Sequence, residues 1–113
     1  MTKWIEIGNL ESVPRLGSRI VRTKAGDIAV FRTQEDELFA LDDRCPHKGG
    51  PLSQGIVHGR RVTCPLHNFV IDLATGKTIS PDEGCTLSHV VRLENGIIRL
   101  AVRENAEAPV TAP

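Results

Sequence analysis

Two short segments of this sequence each place one cysteine close to one histidine. Cys45 and His47 are separated by one residue and form the first clip, while Cys64 and His67 are separated by two and form the second clip. Thiolate and neutral imidazole are ligands for zinc, iron and copper. Four such groups in two loops can close a tetrahedral or a two-metal site, so these residues are predicted to bind metal.

Two kinds of metal centre compete for this ligand set. A structural zinc site usually takes its cysteines from one pair and its histidines from another. Here each clip is mixed, which suits a two-iron cluster better, because the two cysteines can hold one iron and the two histidines the other. A zinc-stabilised interaction module stays as an alternative, and it would be colourless.

With both clips in view, the sequence resembles the Rieske family, whose pattern is C-x-H, a spacer of about sixteen residues and C-x-x-H. All four ligand positions match, and the spacer here has sixteen residues. The resemblance implies a [2Fe–2S] cluster bound by Cys45, His47, Cys64 and His67. It also implies an electron-transfer protein without a catalytic site of its own. Residues 72–76 and the later Ser80-Pro81 are similar to further family features.

Departures from the high-potential members of that family predict a low reduction potential. Those members carry an additional cysteine in each clip region, joined as a disulfide, where this sequence has Gly50 and Leu66. They also direct Ser and Tyr hydroxyls at sulfur, where this sequence has Phe69 and Ile71 and no Tyr at all. Fewer donors leave the reduced cluster less stabilised. The potential should also fall at alkaline pH, because reduction favours the imidazole proton.

Residues 44–59, 63–68 and 81–85 also resemble the small subunits of assimilatory NAD(P)H-dependent nitrite reductases. This resemblance implies a large partner subunit that carries FAD, siroheme and a [4Fe–4S] cluster and reduces nitrite to ammonia. The alternative is a Rieske ferredoxin that donates electrons to an aromatic-ring-hydroxylating dioxygenase, because fold and cluster would be the same. The run 48–52 favours the nitrite reductase interpretation.

The sequence around the clips predicts β-strands and no sustained helix. Short apolar runs and alternating patterns are of strand length. Asn95-Gly96 between two alternating runs is the typical signal of a type I′ hairpin, and residues 10–12 could form one helical turn. The predicted strands lie within residues 4–7, 19–41, 61–63, 69–72 and 90–102.

The expected architecture is all-β, an antiparallel β sandwich with an inserted loop-rich part. Residues 1–41 and 82–103 would form the sandwich. Residues 42–81, rich in proline and glycine, would form a cluster-binding subdomain, because these residues interrupt regular structure. A chain of 113 residues is expected to be one domain, here residues 1–103 followed by a flexible tail, 104–113.

Composition excludes several classes of function. The chain has 14 basic and 14 acidic residues and only 4% aromatic residues, which argues against nucleic-acid binding. No apolar run approaches the roughly eighteen residues of a membrane span, and the N-terminus does not look like a signal peptide. The protein is therefore expected to be cytoplasmic, without a membrane partner. The odd cysteine count favours ligands over a disulfide framework.

The remaining candidates have simpler interpretations. His58 is expected in a solvated loop or at a partner interface, and His89 at a surface or strand edge. Cys85 is expected to be a small buried thiol, and Trp4 to pack in the core or at its rim. Charged residues precede and surround the clips, either as solvated turns or as a docking surface for a redox partner. The basic ones are Arg44, Lys48, Arg60 and Arg61, and the acidic ones are Glu35, Asp36, Glu37, Asp42 and Asp43.

Overall fold

The computed structural model of the protein describes residues 2–23, 26–44, 51–65, 69–79, 84 and 86–103. These residues form ten strands and two single 3₁₀ turns, Leu10–Ser12 and Leu52–Gln54. No helix in these ranges is long and apolar enough to cross a membrane. The strands are β1 Thr2–Asn9, β2 Gly17–Thr23, β3 Gly26–Arg32, β4 Leu38–Asp42, β5 Ile56–His58, β6 Arg61–Thr63, β7 Val70–Asp72, β8 Ser88–His89, β9 Val91–Glu94 and β10 Ile97–Arg103.

The strands pair into three antiparallel sheets, which confirms the all-β prediction. The first sheet has the order β1-β10-β9, the middle sheet β2-β3-β4-β8 and the third sheet β5-β6-β7. The predicted hairpin joins β9 to β10, and its turn residues Asn95 and Gly96 have φ of 52° and 79°. Both values are positive, as a type I′ turn requires. The predicted helical turn at residues 10–12 is also present, as 3₁₀ helix.

The middle sheet is covered on both faces. Ile28 and Val30 of β3 point into a first core shared with the first sheet, while Ala29 and Phe31 point into a second core shared with the third sheet. A strand buried on both faces has a continuous apolar run, which explains residues 28–31. The first core is Ile7, Val13, Ile28, Val30, Ala40, Ile98 and Leu100. The second core is Ala29, Phe31, Leu41, Leu52, Val57, Val62, Cys64, Ile71 and Leu73.

The loop-rich part therefore contributes a third layer to the sandwich. Strands β6 and β7 match the predicted segments, while β5 was not predicted because it has three residues between Gly55 and Gly59. Gly59 has φ of 60°, which lets the chain turn tightly from β5 into β6. This small sheet presents the residues that lead into the second clip.

A buried cation fixes the turns at one end of the middle sheet. Arg32 is 4% exposed, and its Nη1 donates to the carbonyl oxygen of Val13 at 3.0 Å. Its Nε donates to Asp36 Oδ1 at 2.9 Å, and Arg15 reaches the same carboxylate. The Arg32 hydrogen bond, reinforced by Arg15, holds the pKa of Asp36 below its ordinary value.

Trp4 is exposed on the first sheet and belongs to neither core, contrary to the expected packing in the core or at its rim. Trp4 is 42% exposed, and the guanidinium of Arg92 stacks over its ring at 5.0 Å from the centroid. The first sheet thus presents a cation–π pair to solvent.

Candidate metal centre

One of the four predicted ligands, Cys64, lies within the described residues. Cys45, His47 and His67 lie outside them, as do Cys85 and the proline-bearing loop around Pro81. Within the described ranges, no group of three or more His, Cys, Asp or Glu side chains could hold a metal. The described part of the site is therefore Cys64 together with the segments that lead into and out of each clip.

Cys64 is fixed at the end of β6 and is fully buried in the second core. Its backbone N–H donates to the carbonyl oxygen of Phe69 at 2.7 Å. The preceding residue, Thr63, pairs with Val70 of β7. The second clip is therefore the loop of a closed β-hairpin, and both of its ends are held by backbone hydrogen bonds.

The first clip begins where β4 ends. Asp42 donates its backbone N–H to Leu87 at 2.9 Å, and Asp43 donates its own to Asp27 at 2.9 Å. The Asp42 carboxylate also lies 2.8 Å from His89 Nε2. The chain entering the first clip is thus attached to β3 on one side and to the segment around β8 on the other.

The chain leaving the first clip is attached to the same body. Ser53 donates its backbone N–H and its hydroxyl to the carboxylate of Asp43, at 2.7 and 2.9 Å. Leu52 is fully buried in the second core, which also contains Cys64. The residue that starts the second clip, Cys64, and a residue that follows the first clip, Leu52, therefore pack in one apolar core.

The spacer between the clips makes a close backbone contact at Gly55. A Cβ atom at this position would collide with the carbonyl oxygen of Thr63 and crowd Val62 Cγ2 at 2.9 Å. Only glycine therefore allows the spacer to approach the residue that precedes Cys64. This contact holds Thr63, the residue directly before Cys64, against Gly55 in the middle of the spacer.

These residues fit a Rieske-type cluster. A cysteine buried among apolar residues is either an inert thiol or a thiolate whose charge a bound metal compensates. His67 follows Cys64 by three residues in the sequence, and the pair supplies one soft and one nitrogen ligand. Iron bound there would be coordinated by the Cys64 thiolate. The burial of Cys64 is consistent with a thiolate whose charge is compensated by metal.

Three members of the predicted basic group, Arg44, Arg60 and Arg61, lie within the described residues, and Lys48 lies outside them. Arg60 lies in the β5–β6 turn, while Cys64 lies at the opposite end of β6. Its guanidinium stacks over the Phe39 ring at 5.2 Å, and its Nε lies 3.5 Å from Glu37 Oε1. Arg44, by contrast, is exposed beside the first clip. Whether the basic residues act as solvated turns or as a docking surface stays a prediction.

Most of the acidic group has structural contacts. Asp36 binds Arg15 and Arg32, and Glu37 lies against Arg60. Asp42 and Asp43 hold the entry to the first clip, whereas Glu35 is exposed. Asp36, Glu37, Asp42 and Asp43 therefore have partners within the protein, while the choice between solvated turns and a docking surface stays a prediction.

The two histidines outside the clips have side-chain partners. His58 is exposed, as predicted, but it lies in β5 and not in a loop, with its Nε2 2.7 Å from Thr63 Oγ1. His89 lies on β8, an edge strand of the middle sheet, which confirms the predicted strand edge. Its partner Asp42 could not be predicted, because 47 residues separate the two.

Comparison with known proteins points to one family. The family model of the Rieske [2Fe-2S] domain matches residues 3–92. The ferredoxin component of the naphthalene 1,2-dioxygenase/salicylate 5-hydroxylase systems of Ralstonia sp. is 31% identical over 93 residues, which are 81% of this chain and 88% of that protein.

Solved structures extend this likeness to the fold. A chain of the complex of reduced oxygenase and oxidized ferredoxin in carbazole 1,9a-dioxygenase has a TM-score of 0.77 at 26% identity, covering 87% of this chain and 92% of that chain. A protein assigned as an NADH-dependent nitrite reductase small subunit from Mycobacterium tuberculosis has a TM-score of 0.82 at 19% identity, covering 91% and 97%. At 19% identity the second likeness shows the fold alone.

Proposed function

This chain belongs to the Rieske [2Fe–2S] family, and on that premise we propose its ligands and its role in electron transfer. As a member, it is an electron-transfer protein with a Rieske-type cluster, which accepts and releases a single electron when bound. The proposed ligands are the two cysteines and two histidines of the clips, Cys45, His47, Cys64 and His67. The cysteines would hold one iron and the histidines the other.

The scaffold supports this ligand assignment in three ways. Cys64 is buried at the start of a closed hairpin loop. The exit of the first clip packs into the core that contains Cys64. Gly55 brings the spacer against the backbone before that cysteine. These contacts fix Cys64 and the residues that flank the clips, and fixed flanking residues lower the entropy cost of gathering the ligands.

The proposed role is the electron-carrying small subunit of an NAD(P)H-dependent nitrite reductase. The observation that carries it is the similarity of residues 44–59, which span the first clip and the spacer, to that family of small subunits. The partner would be the large subunit with FAD, siroheme and a [4Fe–4S] cluster. Nitrite assimilation of this kind would take place in the cytoplasm, and this location stays a prediction.

A second candidate is a ferredoxin component that serves an oxygenase. It is favoured by the 31% identity to the ferredoxin component from Ralstonia sp., over most of both chains. Both roles use the same fold and the same cluster. They differ in the protein that accepts the electron, so only an assay with a defined partner separates them.

The deciding experiment combines the chain with each partner in turn. Cluster-loaded protein is mixed with a large nitrite reductase subunit and NADH, and ammonia formation from nitrite is measured. A parallel reaction uses a ring-hydroxylating oxygenase with its reductase and an aromatic substrate. The proposal expects ammonia in the first reaction, whereas hydroxylated product in the second alone would favour the ferredoxin role.

A cysteine variant tests whether the cluster carries the electrons. Cys45→Ser should abolish nitrite turnover while the two subunits still co-elute in size-exclusion chromatography. Cys85→Ser, which changes a cysteine outside the clips, is the matched control and should keep full turnover. Unchanged turnover in Cys45→Ser would rule out electron transfer through this chain.

A further inference from the structure

Two hydrogen bonds join Asp43 to Ser53, the residues that flank the segment of the first clip. The carboxylate of Asp43 accepts the backbone N–H of Ser53 at 2.7 Å through Oδ1 and the Ser53 hydroxyl at 2.9 Å through Oδ2. Both carboxylate oxygens are therefore used, one for each donor. We call this contact the base bridge. Its two residues lie on either side of the segment 44–52, which contains Cys45 and His47.

The base bridge is itself attached to the middle sheet on both sides. Asp43 donates its backbone N–H to the carbonyl oxygen of Asp27, on β3, at 2.9 Å. The Ser18 hydroxyl, on β2, donates to the carbonyl oxygen of Ser53 at 2.8 Å. The bridge thus connects the two ends of the clip segment to two neighbouring strands. Movement of either end would break a hydrogen bond to the scaffold.

The carboxylate also places a negative charge close to the first clip. Only Arg44 separates Asp43 from Cys45 in the sequence, so their Cα atoms are no more than roughly 7 Å apart. Asp43 is half-buried, and screening by salt is weaker for such a charge than for an exposed one. A cluster that gains an electron becomes more negative, so a nearby carboxylate opposes its reduction.

We propose that Asp43 is a positioning residue for the cluster and that it also lowers the cluster's reduction potential. Its carboxylate holds the two ends of the first clip together, in a chain whose Gly50 and Leu66 cannot form the inter-clip disulfide. Charge-assisted hydrogen bonds are stronger than neutral ones, which suits them to this task. The inference rests on the cluster and not on the identity of the electron acceptor.

The test compares Asp43→Asn with a matched carboxylate elsewhere. The asparagine keeps the size of the side chain and removes the charge and one acceptor. The control is Asp72→Asn, because the Asp72 carboxylate accepts the N–H groups of Ala74 and Thr75, at 2.8 and 3.3 Å, in a turn at the other end of the third sheet. Ser53→Ala is a milder second variant that removes only the hydroxyl half of the bridge.

Two readouts are measured on the cluster-loaded protein, the midpoint potential and the rate at which an iron chelator bleaches the visible absorption. Asp43→Asn should raise the midpoint potential and speed bleaching roughly tenfold, as expected for the loss of a charged hydrogen bond. Ser53→Ala should speed bleaching with a smaller change in potential, because the charge remains. Asp72→Asn should match the wild type in both readouts.

Four outcomes would overturn the proposal. Equal bleaching rates in Asp43→Asn and the wild type would remove the positioning role. Faster bleaching at an unchanged potential would remove the electrostatic role. If Asp72→Asn changed the midpoint potential and the bleaching rate as much as Asp43→Asn does, the effect would be a general loss of stability. If Asp43→Asn fails to fold, the Ser53→Ala variant decides. Bleaching of that variant at the wild-type rate would show that the base bridge does not help to hold the cluster. None of these readouts uses nitrite, so a failed nitrite assay leaves them unaffected.

Discussion

The backbone N–H of Cys64 donates to the carbonyl oxygen of Phe69 at 2.7 Å. This bond closes the second clip directly beyond the last strand pair, Thr63 and Val70. The base bridge closes the first clip in a different way, through a side chain. The residues that flank each clip are therefore held by hydrogen bonds, and Leu52 and Cys64 share the second core.

Shortening Leu52 should weaken both the fold and the hold on the cluster. Leu52→Ala removes a fully buried side chain from the second core, which also contains Cys64. Truncation of a buried leucine costs about 2–5 kcal/mol, measurable by denaturant unfolding. Chelator bleaching of the cluster should accelerate as well, since the exit of the first clip loses its anchor.

Leu100→Ala is the matched control for that variant. Leu100 is also fully buried, but it lies in the first core. Its truncation should lower the free energy of unfolding by a similar amount and leave the bleaching rate of the folded protein unchanged. Equal bleaching rates in the two variants would show that the second core has no specific role in cluster retention.

Adding a methyl group at Gly55 should disturb the second clip. The backbone of Gly55 has an ordinary φ of −80°, so the obstacle is space, and the new Cβ would collide with the Thr63 carbonyl oxygen. Overpacking of this kind costs about 1–3 kcal/mol. Gly55→Ala should therefore unfold at lower denaturant concentration and load less iron per chain.

Gly59→Asn provides the comparison, in the turn that follows β5. A Cβ there meets nothing within 4 Å, and asparagine tolerates the positive φ of 60°. This variant should be close to the wild type in unfolding and in iron content. If both glycine variants behaved alike, the close contact at Thr63 would not explain the need for glycine at position 55.

The Asp36 carboxylate should make stability depend on pH in acid. Hydrogen bonds from Arg32 and Arg15 lower its pKa below the ordinary value of 3.8. A lowered folded-state pKa means that the contribution is complete above 3.8 and is lost as the pH falls through the lower value. The wild type should therefore exceed Asp36→Asn in stability at neutral pH, and the difference should shrink in acid.

Denaturant unfolding between pH 7 and roughly pH 2.5 measures this difference. Asparagine suits the site, since residue 36 has φ of 66° and asparagine tolerates that conformation. Glu35→Gln, which removes an exposed neighbouring carboxylate, is the matched control. A constant difference between the wild type and Asp36→Asn across this range would contradict the role of the charge.

The reduction potential should lie toward the low end of the Rieske range. Phe69 and Ile71 have no hydroxyl group that could donate to the sulfur atoms. Ile71 is fully buried in the second core, and Phe69 packs against that core. Fewer donors stabilise the reduced cluster less. A redox titration should give a low midpoint that falls further at alkaline pH. A strongly positive midpoint, or a flat profile at alkaline pH, would count against this account.

Local patterns predicted much of this fold. Asn95-Gly96 specifies its hairpin because the turn needs positive φ at both residues. The run 28–31 predicts a strand, and its lack of alternation was also a signal of burial on both faces. The burial of β3 between the two cores agrees with that signal.

The contacts that position the clips could not be predicted in the same way. Asp43 and Ser53 are ten residues apart, and their pairing depends on how the intervening loop closes. The burial of Arg32 depends on carbonyl oxygens 19 and 22 residues away. Such contacts have no periodicity in sequence, so they become visible only when the strands are assembled.

The most direct test of the central claim is pulsed electron paramagnetic resonance of the reduced, cluster-loaded protein with ¹⁵N-labelled histidine. The chain has four histidines, and the account assigns two of them, His47 and His67, to one iron. The wild type and a His58→Gln/His89→Gln double variant should both show couplings to two histidine nitrogens. A spectrum without two such couplings, a loss of one in the double variant, or a colourless zinc protein would contradict the account.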